Sequence, residues 1–349
     1  MSDFIPVTIE DNCKNILVVH NKPHRGDLVL TTPILKKYRQ MFPDSKITIV
    51  VKPHNVELFL YSPDIDEVIC SQCSLDMLEK EYDLIAFLSE NMHEDDWILN
   101  RDSFIVNGKK VVGNEYLYEN YKYPAKYNFY RIEEDGSFVE DFGNIYDGAG
   151  LDKTHLLHRF AARGGVYVDE KCYLYPHQND IDFANKFIKY HKNVKYFVAI
   201  SPKASMRDKS LTKNFYNNLI NYFLGFDDVV IMLFGIFSNN ILKNRLVNMK
   251  NATMMQMAAL LTKCCLSITC DSVGSHISAA MNVNQITFNN DVFRTFPLND
   301  KAIFIDIENL DIVKKNFDDI RKDNNFKISG KKILCRDFKL RMWTKTFLI

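Results

Sequence analysis

A polar turn with small residues and a histidine follows an apolar run in the second half of the chain. Residues 266–270 form the run, and the candidate ligand-binding residues after it are Asp271, Ser272, Val273, Gly274 and His276. A strand that feeds a helix through a short turn leaves N–H groups unpaired at the helix start, and these groups and the helix dipole favour an anion. The small residues at 272, 274 and 275 would let a diphosphate approach the backbone closely. The alternative is an ordinary strand–helix junction with a histidine in the core.

A second polar cluster follows the predicted strand 196–200. The loop after this strand holds Lys203, Ala204, Ser205, Arg207 and Lys209. Hydroxyl, ammonium and guanidinium groups on one loop suit the oxygens of a diphosphate, because each can donate hydrogen bonds to them. A solvated basic loop is the alternative.

The third candidate is an acid near the start of the chain. Residues 16–20, 27–38 and 46–51 have the patterns of strand, helix and strand, which predicts a βαβ unit in a parallel sheet. Asp27 begins the helix just beyond the carboxyl end of the first strand, where open α/β sheets bind ligands. It would therefore either meet a ligand or act as the helix N-cap. The turn before it carries one glycine, which excludes a dinucleotide-binding fingerprint and a P-loop.

Length and composition indicate a two-domain α/β protein. The chain has 349 residues, 46% of them hydrophobic, and a formal net charge of zero. A neutral chain lacks the basic field of a nucleic-acid-binding protein. The lone C-x-x-C at 70–73 has no second pair of ligands, so we expect no metal site. Residues 1–15 lack the pattern of a signal peptide, and no apolar run is long enough to predict a membrane span.

Breaks in the hydrophobic pattern predict how the chain is divided. Polar residues and a proline within 169–179 predict a boundary there, which gives domains 1–170 and 171–330 and a basic tail, 331–349. Residues 114–150 show little periodicity and predict a long loop or insertion, either an acceptor site or a solvated segment. Residues 253–264 have the pattern of an amphipathic helix. The tail is expected to form a helix that packs back on the domains, with binding to anionic lipid as the alternative.

Three short motifs resemble those of glycosyltransferase family 9, the bacterial heptosyltransferases. Residues 26–33, G-D-L-V-L-T-T-P, match the family's G-D-x-L-x-T-x-P motif. Residues 201–211 are similar to its H-P-G-A-S segment and the lysine beyond it. Residues 271–280 resemble its D-S/T-G-P-x-H-L-A-A signature. The resemblance covers most of residues 16–300 and is strong only at these motifs.

The chain departs from the family pattern at several positions. Lys203 replaces a glycine, and Val273 and Gly274 replace the glycine and proline of the signature. Where the family often carries a glutamate that holds the ribose, this chain has Phe237. Either Asn239 replaces that glutamate, or the nucleoside is held by stacking, or the donor is a different one.

The resemblance implies an α/β chain of the GT-B fold class, with two Rossmann-like domains facing a central cleft. The first domain would bind the acceptor and the second the nucleotide sugar, with Asp27 as the catalytic base. The implied donor-binding residues are Ser205, Lys209, Asp271, Ser272, Val273, Gly274 and His276. Further donor or acceptor contacts would come from Lys203, Ala204, Arg207, Asn239, Arg25 and Lys52.

The implied reaction is an inverting, metal-independent transfer without a cofactor. It would move heptose from ADP-heptose onto a lipopolysaccharide core or a related surface glycan. The enzyme would be cytoplasmic, with a peripheral contact to the inner membrane as an option, and its partners would be the donor and a glycan or glycolipid acceptor. Two alternatives stay open: a GT-B transferase with another nucleotide sugar or a protein acceptor, and a non-catalytic nucleotide-sugar-binding protein.

Overall fold

The computed structural model divides the chain into two compact units, Met1–Glu170 and Lys171–Ile349. Each unit contains a parallel β-sheet with helices in its connections. The structure describes residues 13–20, 24–70, 82–88, 111–112, 130–132, 138–140, 156–164, 166, 168–169, 171–235, 245–288, 295, 297–305, 308–328 and 332–334.

The first unit is built on a five-stranded sheet of order β3-β2-β1-β4-β5, all parallel. Its strands are β1 (Asn15–His20), β2 (Lys46–Val51), β3 (Glu67–Cys70), β4 (Leu84–Phe87) and β5 (Val111–Val112). Its helices are α1 (Arg25–Met41), a 3₁₀ helix (Pro53–Leu58) and α2 (Leu156–Arg163). The strand order reverses between β1 and β4, so the α1 start lies at a topological switch point of this sheet.

Helix α1 packs tightly despite a proline in its interior. Pro33 has no N–H, so the carbonyl of Val29 loses its helical partner. The Thr32 hydroxyl donates to that carbonyl at 2.7 Å, which replaces the missing bond. Further along the helix, the Tyr38 hydroxyl donates to the Gly164 carbonyl at 2.7 Å and ties α1 to the end of α2.

The second unit is built on a seven-stranded sheet of order β10-β9-β8-β11-β12-β13-β14, also all parallel. Its strands are β8 (Tyr196–Ser201), β9 (Val229–Leu233), β10 (Leu246–Asn248), β11 (Leu266–Cys270), β12 (Gln285–Phe288), β13 (Ala302–Ile305) and β14 (Lys332–Leu334). Its helices are α3 (Gln178–Tyr190), α4 (Lys213–Leu224), α5 (Met254–Leu261), α6 (Val273–Ala280) and α7 (Leu310–Lys322). The order reverses between β8 and β11, and both strands are fully buried.

Helix α5 differs from the amphipathic helix predicted for 253–264. It ends at Leu261, and seven of its eight residues are buried. The reason is that α3 covers one side of α5 while α6 packs on another, which leaves little of the helix to solvent. A helix that is apolar all round is typical of such a position.

The predicted helical tail is wrong at its start, because Lys332–Leu334 forms strand β14 and pairs with β13. The tail beyond residue 334 lies outside the described residues. Within the segment 114–150, predicted as a long loop or insertion, β6 (Tyr130–Ile132) and β7 (Phe138–Glu140) form a short antiparallel pair. In the described part of the chain, no helix has the length and apolarity needed to cross a membrane.

Candidate active site

The carboxyl ends of β8 and β11 bring two of the predicted polar segments together. The strands pair in parallel, with Ser201 opposite Thr269. The loop 202–211 leaves β8 and the turn 271–272 leaves β11, so both lie at the switch point of the second sheet. This is the position at which open α/β sheets bind ligands.

The start of helix α6 is not capped by a side chain. Ser272 is the N-cap residue and has an extended backbone, with φ −156° and ψ 176°. Its hydroxyl makes no capping hydrogen bond and lies instead 3.4 Å from the Cys270 carbonyl. The Ser275 N–H donates to the Ser272 carbonyl at 3.0 Å, but the first N–H groups of the helix donate no hydrogen bond to the Ser272 side chain, which is the arrangement that favours an anion.

Lys209 reaches from the loop after β8 to the turn after β11. Its Nζ lies 2.9 Å from Oδ2 of Asp271, whose side chain is only 5% exposed. The Thr295 hydroxyl lies 3.2 Å from each oxygen of the same carboxylate. The carboxylate is thus paired and hydrogen-bonded, as a buried charge must be.

Thr295 is not among the residues predicted from the sequence. Nothing in its local pattern marks it, because its partner is 24 residues away along the chain.

His276 lies one turn into α6 and is 3% exposed. Burial lowers its pKa, the Asp271 carboxylate acts against that shift, and the Lys209 ammonium adds to it. The imidazole is therefore neutral near pH 7. Its Nδ1 atom is buried and has no hydrogen-bond partner among the described residues.

Gly274 is needed for packing inside the unit. A Cβ atom at this position would lie 2.6 Å from Oγ and 2.9 Å from Cβ of Ser201, and 3.3 Å from Cε of Met257. The place of its missing side chain therefore faces β8 and α5, which gives the glycine a packing role besides the predicted approach of a diphosphate to its backbone. The glycine lets α6 approach the sheet closely.

A buried polar network fixes α6 on the sheet. The Gln285 amide nitrogen donates to the Ser275 carbonyl and to the Thr287 hydroxyl, both at 2.9 Å. The hydroxyls of Ser267 and Ser278 are 2.7 Å apart, one on β11 and the other on α6. Because these buried groups satisfy one another, the network favours a single position for the helix.

The loop after β8 is closed by its own hydrogen bonds. Ser210 accepts a hydrogen bond from the Ala204 N–H and donates to the Met206 carbonyl, at 3.0 and 3.1 Å. Three of the predicted contact residues on this loop, Lys203, Ser205 and Arg207, are exposed. Only Lys209 among the predicted residues of the loop contacts the turn before α6 through a hydrogen bond that the structure shows.

The thiols next to this site are unreactive. Burial raises the pKa of Cys270 to about 11 and that of Cys265 to about 12. Both are therefore protonated at neutral pH, as expected for buried thiols rather than nucleophiles. The C-x-x-C segment beyond Cys70 lies outside the described residues.

In the first unit, Asp27 lies in the first turn of α1 and is partly buried. The N-cap is His24, so the alternative that Asp27 itself is the N-cap is wrong. Arg25 is the first helical residue, and Lys52 precedes the 3₁₀ helix after β2. Asn239 and Phe237 lie outside the described residues.

Comparison with known proteins identifies the fold. No family model and no curated protein matches the sequence. The crystal structure of the glycosyl transferase family 9 from Veillonella parvula DSM 2008 is similar, with a TM-score of 0.63 and 17% identity over 90% of this chain and 92% of that one. E. coli ADP-heptose lps heptosyltransferase II is similar with a TM-score of 0.59 and 15% identity, over 83% and 89% of the two chains.

A third solved structure, E. coli heptosyltransferase WaaC with ADP, has a TM-score of 0.55 and 14% identity, over 87% of this chain and 99% of that one. The similarity covers both units, and it agrees with two parallel α/β sheets whose connections carry helices. The chain therefore has the fold of the family 9 glycosyltransferases, in the GT-B class expected from its motifs.

Proposed function

We propose that this protein is a glycosyltransferase that takes its sugar from a nucleoside diphosphate sugar bound at the start of α6. The observation that carries the proposal is the Lys209 ammonium, held by Asp271 beside an uncapped helix start at the switch point of the sheet. Ammonium and backbone N–H groups are the donors that a diphosphate needs.

The site has little net charge, so we expect hydrogen bonds to bind the diphosphate more than long-range electrostatic attraction does. Lys209 and Asp271 cancel each other, and His276 is neutral because burial lowers its pKa. Affinity for the diphosphate would therefore come from the N–H groups of residues 272–274, from Ser205 and from the Lys209 ammonium, whereas the Ser275 N–H donates to the Ser272 carbonyl at 3.0 Å. Such preorganised donors also stabilise the negative charge that grows on a leaving diphosphate.

The proposed reaction is a direct inverting displacement. The acceptor hydroxyl oxygen forms a bond to the anomeric carbon while the bond from that carbon to the diphosphate oxygen breaks. Asp27 takes the proton of the hydroxyl as general base. The donors around α6 meet the charge of the departing diphosphate, and we propose that no metal ion is required.

The finer proposal concerns the substrates. The donor is ADP-heptose and the acceptor a lipopolysaccharide core or related surface glycan, in the cytoplasm at the face of the inner membrane. Two of the similar structures are named as heptosyltransferases, and one of them is described with ADP, which supports this choice. Lys203, Ala204, Arg207, Asn239, Arg25 and Lys52 remain proposed further contacts.

A ligand screen tests the proposal. Thermal unfolding is measured with ADP-, GDP-, UDP- and CDP-sugars and with the free nucleoside diphosphates, with and without EDTA. We expect the ADP compounds to raise the unfolding temperature, because a ligand that binds only the folded state stabilises it. A shift with another nucleotide would overturn the choice of ADP. No shift with any nucleotide would overturn the donor site itself.

A further inference from the structure

We propose that Thr295 is a positioning residue which, through Asp271, holds the Lys209 ammonium where it meets the donor diphosphate. The identity of the ligand rests on the proposed function. The contact itself does not, because it joins three described side chains at 2.9 and 3.2 Å.

The carboxylate of Asp271 is the fixed member of the group. Its side chain is 5% exposed, and its backbone N–H donates to the Phe288 carbonyl at 3.2 Å. The carboxylate cannot turn out to solvent without breaking its contacts with Lys209 and Thr295. It therefore acts as an anchor for whatever binds its oxygens.

Lys209 is the adjustable member of the group. Its side chain is 28% exposed and leaves a hydrogen-bonded turn at 207–209. A lysine has a long flexible stem, so a free ammonium would sample many positions. The pair with Asp271 selects one of them, beside the α6 start, before any ligand arrives.

Thr295 decides how the anchor is oriented. The terminal torsion of an aspartate is broad and has no sharp minimum of its own. The Thr295 hydroxyl, 3.2 Å from both oxygens, restrains that rotation. Threonine is itself stiff at its first torsion because it is β-branched, so it can impose an orientation.

An opposite role for the same contact makes a different prediction. If Asp271 only competed with the diphosphate for Lys209, loosening the carboxylate would free the ammonium and strengthen binding. Positioning predicts weaker binding instead. The sign of the change in affinity therefore separates the two roles.

The first experiment needs no ligand. Full-length wild type, Thr295→Val and Thr295→Ser are treated with an amine-labelling reagent, and labelling of Lys209 is followed by peptide mass spectrometry. Thr295→Val should label about fivefold faster, the factor that loss of one ordinary hydrogen bond produces. Thr295→Ser should match wild type because it keeps the hydroxyl. Thr262→Val is the matched control, since it removes a hydroxyl bonded to the Ala259 carbonyl.

The second experiment measures, by titration calorimetry, the affinity of wild type and Thr295→Val for two ligands. They are the nucleoside diphosphate that wild type binds in the ligand screen and the corresponding monophosphate. Thr295→Val should bind the diphosphate about fivefold more weakly and the monophosphate as well as wild type does. A purely structural role would weaken both equally. If Thr295→Val does not fold, Thr295→Ala replaces it in both experiments.

The outcomes are distinct. Unchanged Lys209 labelling in Thr295→Val, or unchanged or tighter diphosphate binding, would overturn the positioning role. Faster labelling together with a wild type that binds no nucleotide would overturn the proposed function and leave the restraint on Lys209 in place.

Discussion

The Nζ atom of Lys209 lies 2.9 Å from Oδ2 of Asp271, although the two residues are 62 positions apart in the chain. The contact exists because β8 and β11 are neighbours in the sheet and their carboxyl ends meet at one edge. It places an ammonium beside the start of α6, which is where the proposed function needs a phosphate-binding group.

Replacing the ammonium should weaken donor binding. We expect Lys209→Met to lower the affinity for the nucleoside diphosphate by about tenfold or more, since hydrogen bonds to charged groups contribute roughly 1.5–3 kcal/mol. The protein should also unfold more easily, because the buried Asp271 carboxylate loses its counter-ion. Titration calorimetry and denaturant unfolding measure the two effects. Lys213→Met, at the exposed first residue of α4, is the control, and equal effects of both variants would contradict the assignment.

Removing the proposed base should stop turnover and spare donor binding. Asp27→Asn keeps the size of the side chain but cannot accept the proton, so we expect the rate of transfer to fall by about 10²–10⁴-fold. The dissociation constant of the donor should stay as in wild type. Release of ADP from ADP-heptose in the presence of a lipopolysaccharide acceptor measures the rate. Asp44→Asn, in an exposed turn of the same unit, is the control, and normal turnover of Asp27→Asn would refute the role of base.

A side chain at 274 should destabilise the second unit. The added Cβ of Gly274→Ala would lie 2.6 Å from the Ser201 hydroxyl oxygen, so we expect a loss of about 1–3 kcal/mol in the free energy of unfolding, typical of overpacking. The double variant with Ser201→Gly removes the two atoms that the Cβ meets on that residue and should recover part of the loss. Denaturant unfolding of the single and double variants measures this. A fully stable Gly274→Ala protein would mean that α6 does not need its close approach to β8.

The buried His276 should make stability fall in acid. Burial lowers its pKa in the folded state, with Asp271 opposing and Lys209 reinforcing that shift, while the unfolded chain keeps a value near 6.5. The unfolded state therefore binds more protons below about pH 6.5, and the free energy of unfolding falls as the pH drops through that value.

The measurement for this prediction is the free energy of unfolding between about pH 7.5 and pH 5.5, in wild type and in His276→Gln. The variant should show a shallower decline. Burial also lowers the pKa of His191, so this residue contributes to the same decline in stability. The pH dependence of the free energy of unfolding is therefore measured in His191→Gln as well, to separate the two contributions. Parallel pH curves for wild type and His276→Gln would show that His276 does not titrate on unfolding.

Local pattern was enough to predict the framework of both units. The β-branched runs at 16–20, 196–200 and 266–270 each form a buried parallel strand within a residue of the predicted bounds, because such runs are stable only when both faces are covered. The helix after residue 24 was equally predictable from its spacing. Helices α4 and α7 and strands β10 and β13 were not assigned from the sequence.

Tertiary contacts decided the features that local pattern could not supply. The pattern of residues 253–264 predicted an amphipathic helix. In the structure α3 and α6 both pack against this helix, α5, and nearly every residue of it is buried. The basic start of the tail predicted a helix, yet an open edge of β13 was available and β14 pairs with it. Gly274 was predicted as a ligand contact, and the structure adds a packing role, because a side chain there would meet Ser201.

By itself the sequence determined which segments become buried strands, which turns carry polar groups and which motifs resemble a known family. Strand order in the folded sheet decided which of those groups meet: it brought Lys209, Asp271 and Thr295 together and left Lys203 and Arg207 in solvent. The physical reason is range. Backbone preference and hydrophobic period act over a few residues, whereas an ion pair 62 residues apart exists only after the sheet has set two strands side by side.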